Sequence, residues 1–252
     1  MGKSKYQSKF FVAVSFLLPV IIMLFWYREA KIFPFGVHSV ITGDLKNQYL
    51  ALVSYFKSNI TNPAAFLYSF SFSIGGNFFS VLAYYLLSPF NLLALIFPTK
   101  DLIGFFTINI LFNAGLSGFT MFLFLKESIL LNHKIEKLGS YEMPIVLALS
   151  TSFALSSFYL GYAHCFMWFD SIAVLPIAVL GLERLYFKQK ASLYWISYVY
   201  ILLVNYYIGY MVTIFLAFST IFLIVISLAN KWMDIKKSIF SSGCVLLYTI
   251  LS

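Results

Sequence analysis

Of 252 residues, 61% are hydrophobic and only 10% charged, too few polar groups to cover a soluble globule. The net charge of +8 would fit nucleic acid in a soluble protein. Here, however, the basic residues sit in short loops between apolar runs, a topology signal that leaves no nucleic-acid footprint. The expectation is an all-α polytopic membrane protein whose 29 Phe, 18 Tyr and 4 Trp suit hydrocarbon and its interfaces.

In chain order, Lys3, Lys5 and Lys9 precede an apolar run, Phe10–Tyr27, that ends in Phe25-Trp26-Tyr27-Arg28. No small-residue cleavage site follows, so the run reads as an uncleaved first span. Residues 28–101 then form a long first extracytoplasmic loop. Inside it, Leu45, Tyr49, Leu52 and Phe56 recur at helical spacing and predict an amphipathic surface helix over 44–57, too polar to span. The run Phe78–Phe97 is interrupted by Ser88-Pro89 and Asn91 and preceded by Gly75-Gly76-Asn77. Such backbone survives at depth only beside protein or a cavity, which predicts a re-entrant segment over 78–97; a proline-kinked span is the alternative. Further runs cover Leu102–Leu125, Met143–Leu160, Met167–Tyr186, Ala191–Ile208 and Met211–Leu228. Turns are expected near Gly161–Met167, Phe187–Lys190 and Asn205–Tyr210, and longer loops at 126–142 and 231–237. A last run opens at Ile239 and gives only about 14 residues, short of a crossing. The whole of 1–252 thus reads as one transmembrane domain and as the N-terminal fragment of a longer protein.

Charge decides between the two topologies. If 78–97 crosses, four basic residues face the cytoplasm and thirteen face out; if it re-enters, twelve face in and five out. Only the second obeys the positive-inside rule. It gives a multi-pass protein of the bacterial cytoplasmic membrane with a cytoplasmic N-terminus.

That topology leaves Glu29, Asp44, Asp101 and Asp170 as the outer acids. Glu29 has Arg28 and Lys31 beside it and Asp101 has Lys100, so the candidates for chemistry are Asp44 and Asp170. Asp44, after Gly43, reads either as a helix N-cap or as a general base at the membrane surface, with Gln48 and Tyr55 on a neighbouring face. Asp170 lies deep enough to need a cavity or a partner; His164 could be that partner, in a solvated pair without chemistry or in a site. Asn77, Asn91, Asn205 and Tyr206 interrupt or end apolar runs at the same level, and Asn in hydrocarbon is costly without a partner. Together they suggest a shared outward cavity, although each tyrosine also fits an aromatic belt. Cys165 and Cys244 read as structural. No acidic cluster has metal-ligand spacing and no Gly-rich loop cradles a phosphate, so neither a metal nor a cofactor is expected.

The stretches Asp44-Leu45-Lys46-Asn47-Gln48-Tyr49-Leu50, Gly75-Gly76-Asn77-Phe78-Phe79 and Ala83-Tyr84-Tyr85-Leu86-Leu87-Ser88-Pro89-Phe90-Asn91-Leu92-Leu93 resemble the bacterial YfhO family of membrane proteins. Ala154-Leu155-Ser156-Ser157-Phe158, Met167-Trp168-Phe169-Asp170 and Asn205-Tyr206-Tyr207-Ile208-Gly209-Tyr210-Met211 continue the resemblance in order. The resemblance implies a GT-C-like transmembrane helix bundle. It also implies a glycosyltransferase that moves a sugar from a polyprenyl-phosphate donor to a cell-envelope polymer such as teichoic acid. The catalytic acid of that class lies in the first outer loop, the position matched by Asp44. Gln48, Tyr49, Asn77, Asn91, His164, Asp170, Asn205 and Tyr206 are then the expected substrate-binding residues, with membrane lipids as further partners. Lys46, Lys57, Lys31 and Arg28 read either as partners of the donor phosphate or as interfacial anchors. A transporter or lipid flippase is the competing reading, and a non-catalytic membrane subunit a third.

Overall fold

A chain in hydrocarbon must satisfy its own backbone polar groups, and helices do this within one segment. The computed structural model describes residues 2–71, 74–134 and 142–252, except the side chains of 2–8 and 132–134, and among these residues it forms helices and no strand. The positions 135–141 of the expected 126–142 loop lie outside the described residues.

Helix α1 (Gly2–Glu29) is followed by irregular chain to Thr42. A π-turn (Leu45–Tyr49) leads directly into α2 (Leu50–Asn59), and α3 (Pro63–Leu67) follows. Next come α4 (Phe78–Tyr85) and a 3₁₀ helix (Pro89–Leu95). The bundle continues with α5 (Leu102–Glu127), α6 (Ile129–Lys134), α7 (Met143–Ala154) and α8 (Ser157–Gly161). It ends with α9 (Phe169–Lys188), α10 (Ser192–Val204), α11 (Tyr206–Ala229) and α12 (Ile235–Ile250). Five stretches are long and apolar enough to cross a membrane: Lys9–Glu29, Thr99–Glu127, Met143–Gly161, Phe166–Lys188 and Tyr206–Ala229. Their 19 to 29 residues rise about 28–43 Å as helix, against a hydrocarbon core of about 30 Å.

The 78–97 run is not one straight helix. Helix α4 and the 3₁₀ helix meet at 113°, and at about 12–14 Å neither arm alone reaches across a bilayer. Ser88 makes the corner: its backbone is extended, its side chain accepts from the Phe90 amide, and Pro89 opens the new helix.

Two expected spans are interrupted. The run from Met143 breaks at Leu155-Ser156, where the Ser156 hydroxyl accepts from the Tyr159 amide and starts α8. Helix α10 has only 13 residues, and the turn expected near Asn205–Tyr210 shrinks to Asn205 alone. One residue suffices because its extended backbone ends α10 while its side chain accepts from the Ile208 amide and starts α11.

Helix α5 is the central post, packed against α1, α7 and α9, while α9 carries α10, α11 and α12 on its other sides. Lipid tails give no hydrophobic drive for helices to associate, so close backbone approach carries the packing. Gly181 on α9 is such a contact: a Cβ there would stand 2.5 Å from the Tyr194 amide nitrogen on α10. One apolar core, around Tyr49, Phe78, Phe105, Phe106 and Phe166, joins the irregular segment after α1 to the bundle. A second, around Leu182, Tyr186, Tyr198 and Leu216, holds α9 to α12 together.

The end of the bundle carrying residues 30–101, the 162–165 turn and Asn205 is termed the loop end. At the opposite end, Glu183 caps α6: its carboxylate accepts from Ser128 Oγ at 2.8 Å and from the amides of Ile129 at 2.6 Å and Leu130 at 3.4 Å. Arg184 pairs with Glu127 beside it. The Tyr186 hydroxyl bonds Ser227 and Ser238, at 2.9 and 2.7 Å.

Candidate active site

The loop end is organised around the segment that carries Asp44. Gly43 adopts φ +51°, which L side chains rarely tolerate, and its bare Cα lies on the imidazole of His164; a Cβ would come 3.3 Å from Cδ2. The chain then enters the π-turn, which buries Leu45 and Tyr49 and leaves Asp44, Lys46 and Gln48 exposed. Leu52, Val53 and Phe56 extend the buried face along α2. Asp44 has helical backbone angles and its side chain makes no capping bond, so the capping role open in the sequence is not the one it plays.

Instead, the Asp44 carboxylate, the His164 imidazole and the Cys165 thiol converge, with their polar atoms all within 4.8 Å of one another. These residue types can hold a metal ion. The grouping escapes any reading by spacing because two of its members lie about 120 positions beyond the first. His164 therefore faces Asp44, and the pairing with Asp170 that the sequence left open does not form. Cys165 is buried; burial raises its thiol pKa, the facing Tyr49 hydroxyl lowers it, and the Asp44 carboxylate raises it again. Burial likewise pushes the Tyr49 hydroxyl up, reinforced by Cys165, Tyr85 and Asp44.

Aromatic rings surround the cluster. Tyr49 lies 5.4 Å from Tyr85 and 5.3 Å from Phe166 between ring centroids, and Tyr84 lies 5.1 Å from Tyr206. On the other side Tyr162 stands 6.0 Å from His164 and 5.6 Å from Trp168. Tyr162 and Trp168 also begin an apolar groove of about 380 Å³, which continues between α9 and α11 past Leu175, Tyr207, Met211 and Phe215.

The remaining expected site residues separate into three groups. Gln48 and Tyr206 are exposed near the cluster. Asn77 and Asn205 have structural bonds: Asn77 caps α4 through the Phe79 amide at 2.7 Å, and Asn205, fully buried, also donates to the Tyr84 carbonyl at 3.1 Å. Asn91 and Asp170 lie in the interior, each 1% exposed. There Asp170 joins a polar seam with Asn109, Asn113 and Ser117, which recur every four residues on α5. Ser88 and Asn113 face the Asp170 carboxylate, yet neither of its oxygens completes a hydrogen bond of ordinary geometry. Among the basic residues, Lys57 is engaged structurally, donating to the carbonyls of Ala94 at 2.6 Å and Phe97 at 2.5 Å. Arg28, Lys31 and Lys46 are exposed.

Residues that the sequence reading passed over complete the site. Cys165 had the signature of a structural cysteine, and Tyr84, Tyr85 and Trp168 that of an aromatic belt. The signal available in sequence was the adjacency of His164 and Cys165 just before the Met167–Asp170 stretch.

These features define a multi-pass, all-α membrane protein with a compact polar cluster and an apolar groove at one end of its bundle. The chain belongs to the family described as bacterial membrane protein YfhO, whose model matches residues 15–252. Comparison with curated proteins and with solved structures gives no match.

Proposed function

We propose that the protein is a GT-C-type glycosyltransferase that takes a sugar from polyprenyl phosphate and adds it to a cell-envelope polymer, such as a teichoic acid, outside the cytoplasmic membrane. Asp44 carries the reading: it is an exposed carboxylate beside His164, close to a groove of about 380 Å³ with apolar walls. A groove opening next to a polar cluster suits a lipid-linked substrate, with the polyprenyl chain along Leu175, Met211 and Phe215 and the phosphate near the Tyr162–Trp168 end.

The acceptor hydroxyl oxygen attacks the anomeric carbon and forms the new glycosidic bond. Its proton passes to an Asp44 oxygen, while the bond from the anomeric carbon to the phosphate oxygen breaks and the lipid phosphate leaves with the electron pair. General-base assistance of this kind is worth about 10²–10⁴-fold. Lys46, two residues after Asp44 and exposed, is the proposed offset to the charge on the leaving phosphate, whereas Lys57 is held by its two carbonyls. Gln48 and Tyr206 are the proposed contacts to sugar or acceptor. Asn77 and Asn205 act through the backbone they hold, and Asn91 and Asp170 support the site from inside.

The loop end lies outside and the N-terminus inside in this reading. Its support is the count of twelve basic residues against five together with the 113° bend within 78–97, which suits entry and exit on one side. Cysteine placed at Lys100 or Lys134 is expected to label from opposite sides of intact cells; labelling of both from one side overturns the topology. Asp44→Asn in the full-length protein, supplied with polyprenyl-linked sugar, is expected to lower transfer by about 10²–10⁴-fold. Normal incorporation at equal protein level overturns the base assignment.

A further inference from the structure

We propose that Asp44, His164 and Cys165 form a binding site for a thiophilic divalent cation, zinc foremost, with three protein ligands and an open fourth position facing the loop end. The donors are one carboxylate oxygen, one imidazole nitrogen and one sulfur, all within 4.8 Å of one another. Zinc accepts this mixture, and three protein ligands with one open position are the pattern of zinc sites that bind a further ligand. At bond lengths of about 2.0–2.3 Å, tetrahedral donors stand about 3.3–3.8 Å apart. The remaining closure falls to Asp44, whose exposed side chain is free to rotate, and not to the buried Cys165.

The surroundings are those of a supported site. Gly43 lies flat against the His164 ring, where a side chain would press at 3.3 Å, and so leaves the imidazole its place. The Tyr49 hydroxyl faces the Cys165 sulfur and supplies the second layer of hydrogen bonding that orients a metal ligand. The ligands also come from two separate segments, the residue just before the π-turn and the turn before α9, so a cation there ties the irregular loop-end chain to the bundle. Binding displaces the Cys165 proton to solvent as the zinc–sulfur bond forms. The fourth position suits an anionic oxygen such as that of the donor phosphate; this last clause rests on the transferase reading, whereas the metal site does not.

The full-length protein in detergent, stripped with a chelator and titrated with cobalt(II), provides the test, because a cobalt–thiolate bond gives a charge-transfer absorption that oxygen and nitrogen ligands do not. One cobalt per chain is expected, displaced by zinc. The band persists in Cys244→Ser and disappears in Cys165→Ser. His164→Ala weakens binding at least tenfold, and Tyr49→Phe by about 10–100-fold as a second-layer change. Absence of the band in the unmodified protein, which needs no variant to fold, overturns the proposal, as does an unchanged band in Cys165→Ser. A normal band together with normal transfer by Asp44→Asn leaves the metal site standing and removes the base assignment. Lost transfer in that variant with no band in the unmodified protein gives the reverse.

Discussion

The two ends of the bundle handle polar side chains in opposite ways. At the end with Glu183, Arg184 and Tyr186, polar groups answer one another: one carboxylate takes three donors, the arginine has Glu127, and the tyrosine bonds two serines. At the loop end, Asp44 and Gln48 are exposed, the buried Trp168 indole nitrogen faces the Tyr84 hydroxyl without a hydrogen bond of ordinary geometry, and Asp44, His164 and Cys165 converge without an ion pair. Buried polar groups in native proteins are normally satisfied; the unsatisfied ones here gather mainly in the interior, on α5 and at Asn91 and Asp170, while the loop end differs by the polar groups it leaves exposed beside the cluster. One end holds the helices together, and the other is the end proposed for the chemistry.

The contrast can be broken by substitution. The largest expected effect is on activity: Asp44→Asn abolishes most transfer yet leaves the unfolding midpoint of the chelator-stripped protein in detergent unchanged, since its side chain caps nothing. A clear loss of stability would move Asp44 to the structural class. At the other end the effects reverse. Glu183→Ala leaves two backbone amides and a serine without their acceptor and is expected to cost about 3 kcal/mol in reversible unfolding; a variant as stable as the parent would erase the distinction between the ends. Asn205→Ala removes the α11 cap and the bond to Tyr84, for about 1–2 kcal/mol. Because α4 loses its tether, proteolysis or hydrogen exchange around Tyr84 and Tyr85 should rise with it. The smallest effect belongs to Arg184→Gln. Its pair with Glu127 is 33% and 42% exposed, and such pairs contribute about 0–1 kcal/mol; a larger loss would show that even this contact is part of the end's framework.

The membrane-spanning helices were legible because long apolar runs need no partner to be recognised, and the interruption at Ser88-Pro89 coincides with the corner between α4 and the 3₁₀ helix. Breaks made by single side chains were not. Asn205 could be marked as a costly polar residue, but its double role, capping α11 and holding Tyr84, depends on a segment 121 positions away. The same limit hid the partners of Asp44. Periodicity identifies what faces inward along one helix, whereas the meeting of the Gly43 turn with His164 is decided by how α1, α5 and α9 fold the loop end over themselves. Lys57 illustrates the point from the other side. As a string of letters it is an outer cation, a phosphate partner or an interfacial anchor, and in the fold it is taken up by Ala94 and Phe97.

That lysine has a mechanical consequence. It sits near the end of the helix that begins at Asp44, and its ammonium grips the far end of the bent segment through two charge-assisted bonds. The two elements are thereby riveted into one plate, which the shared core around Tyr49, Phe78 and Phe106 fixes to the bundle. Asp44 thus stands at the edge of a braced surface and not on a free loop, so its carboxylate keeps its place against His164.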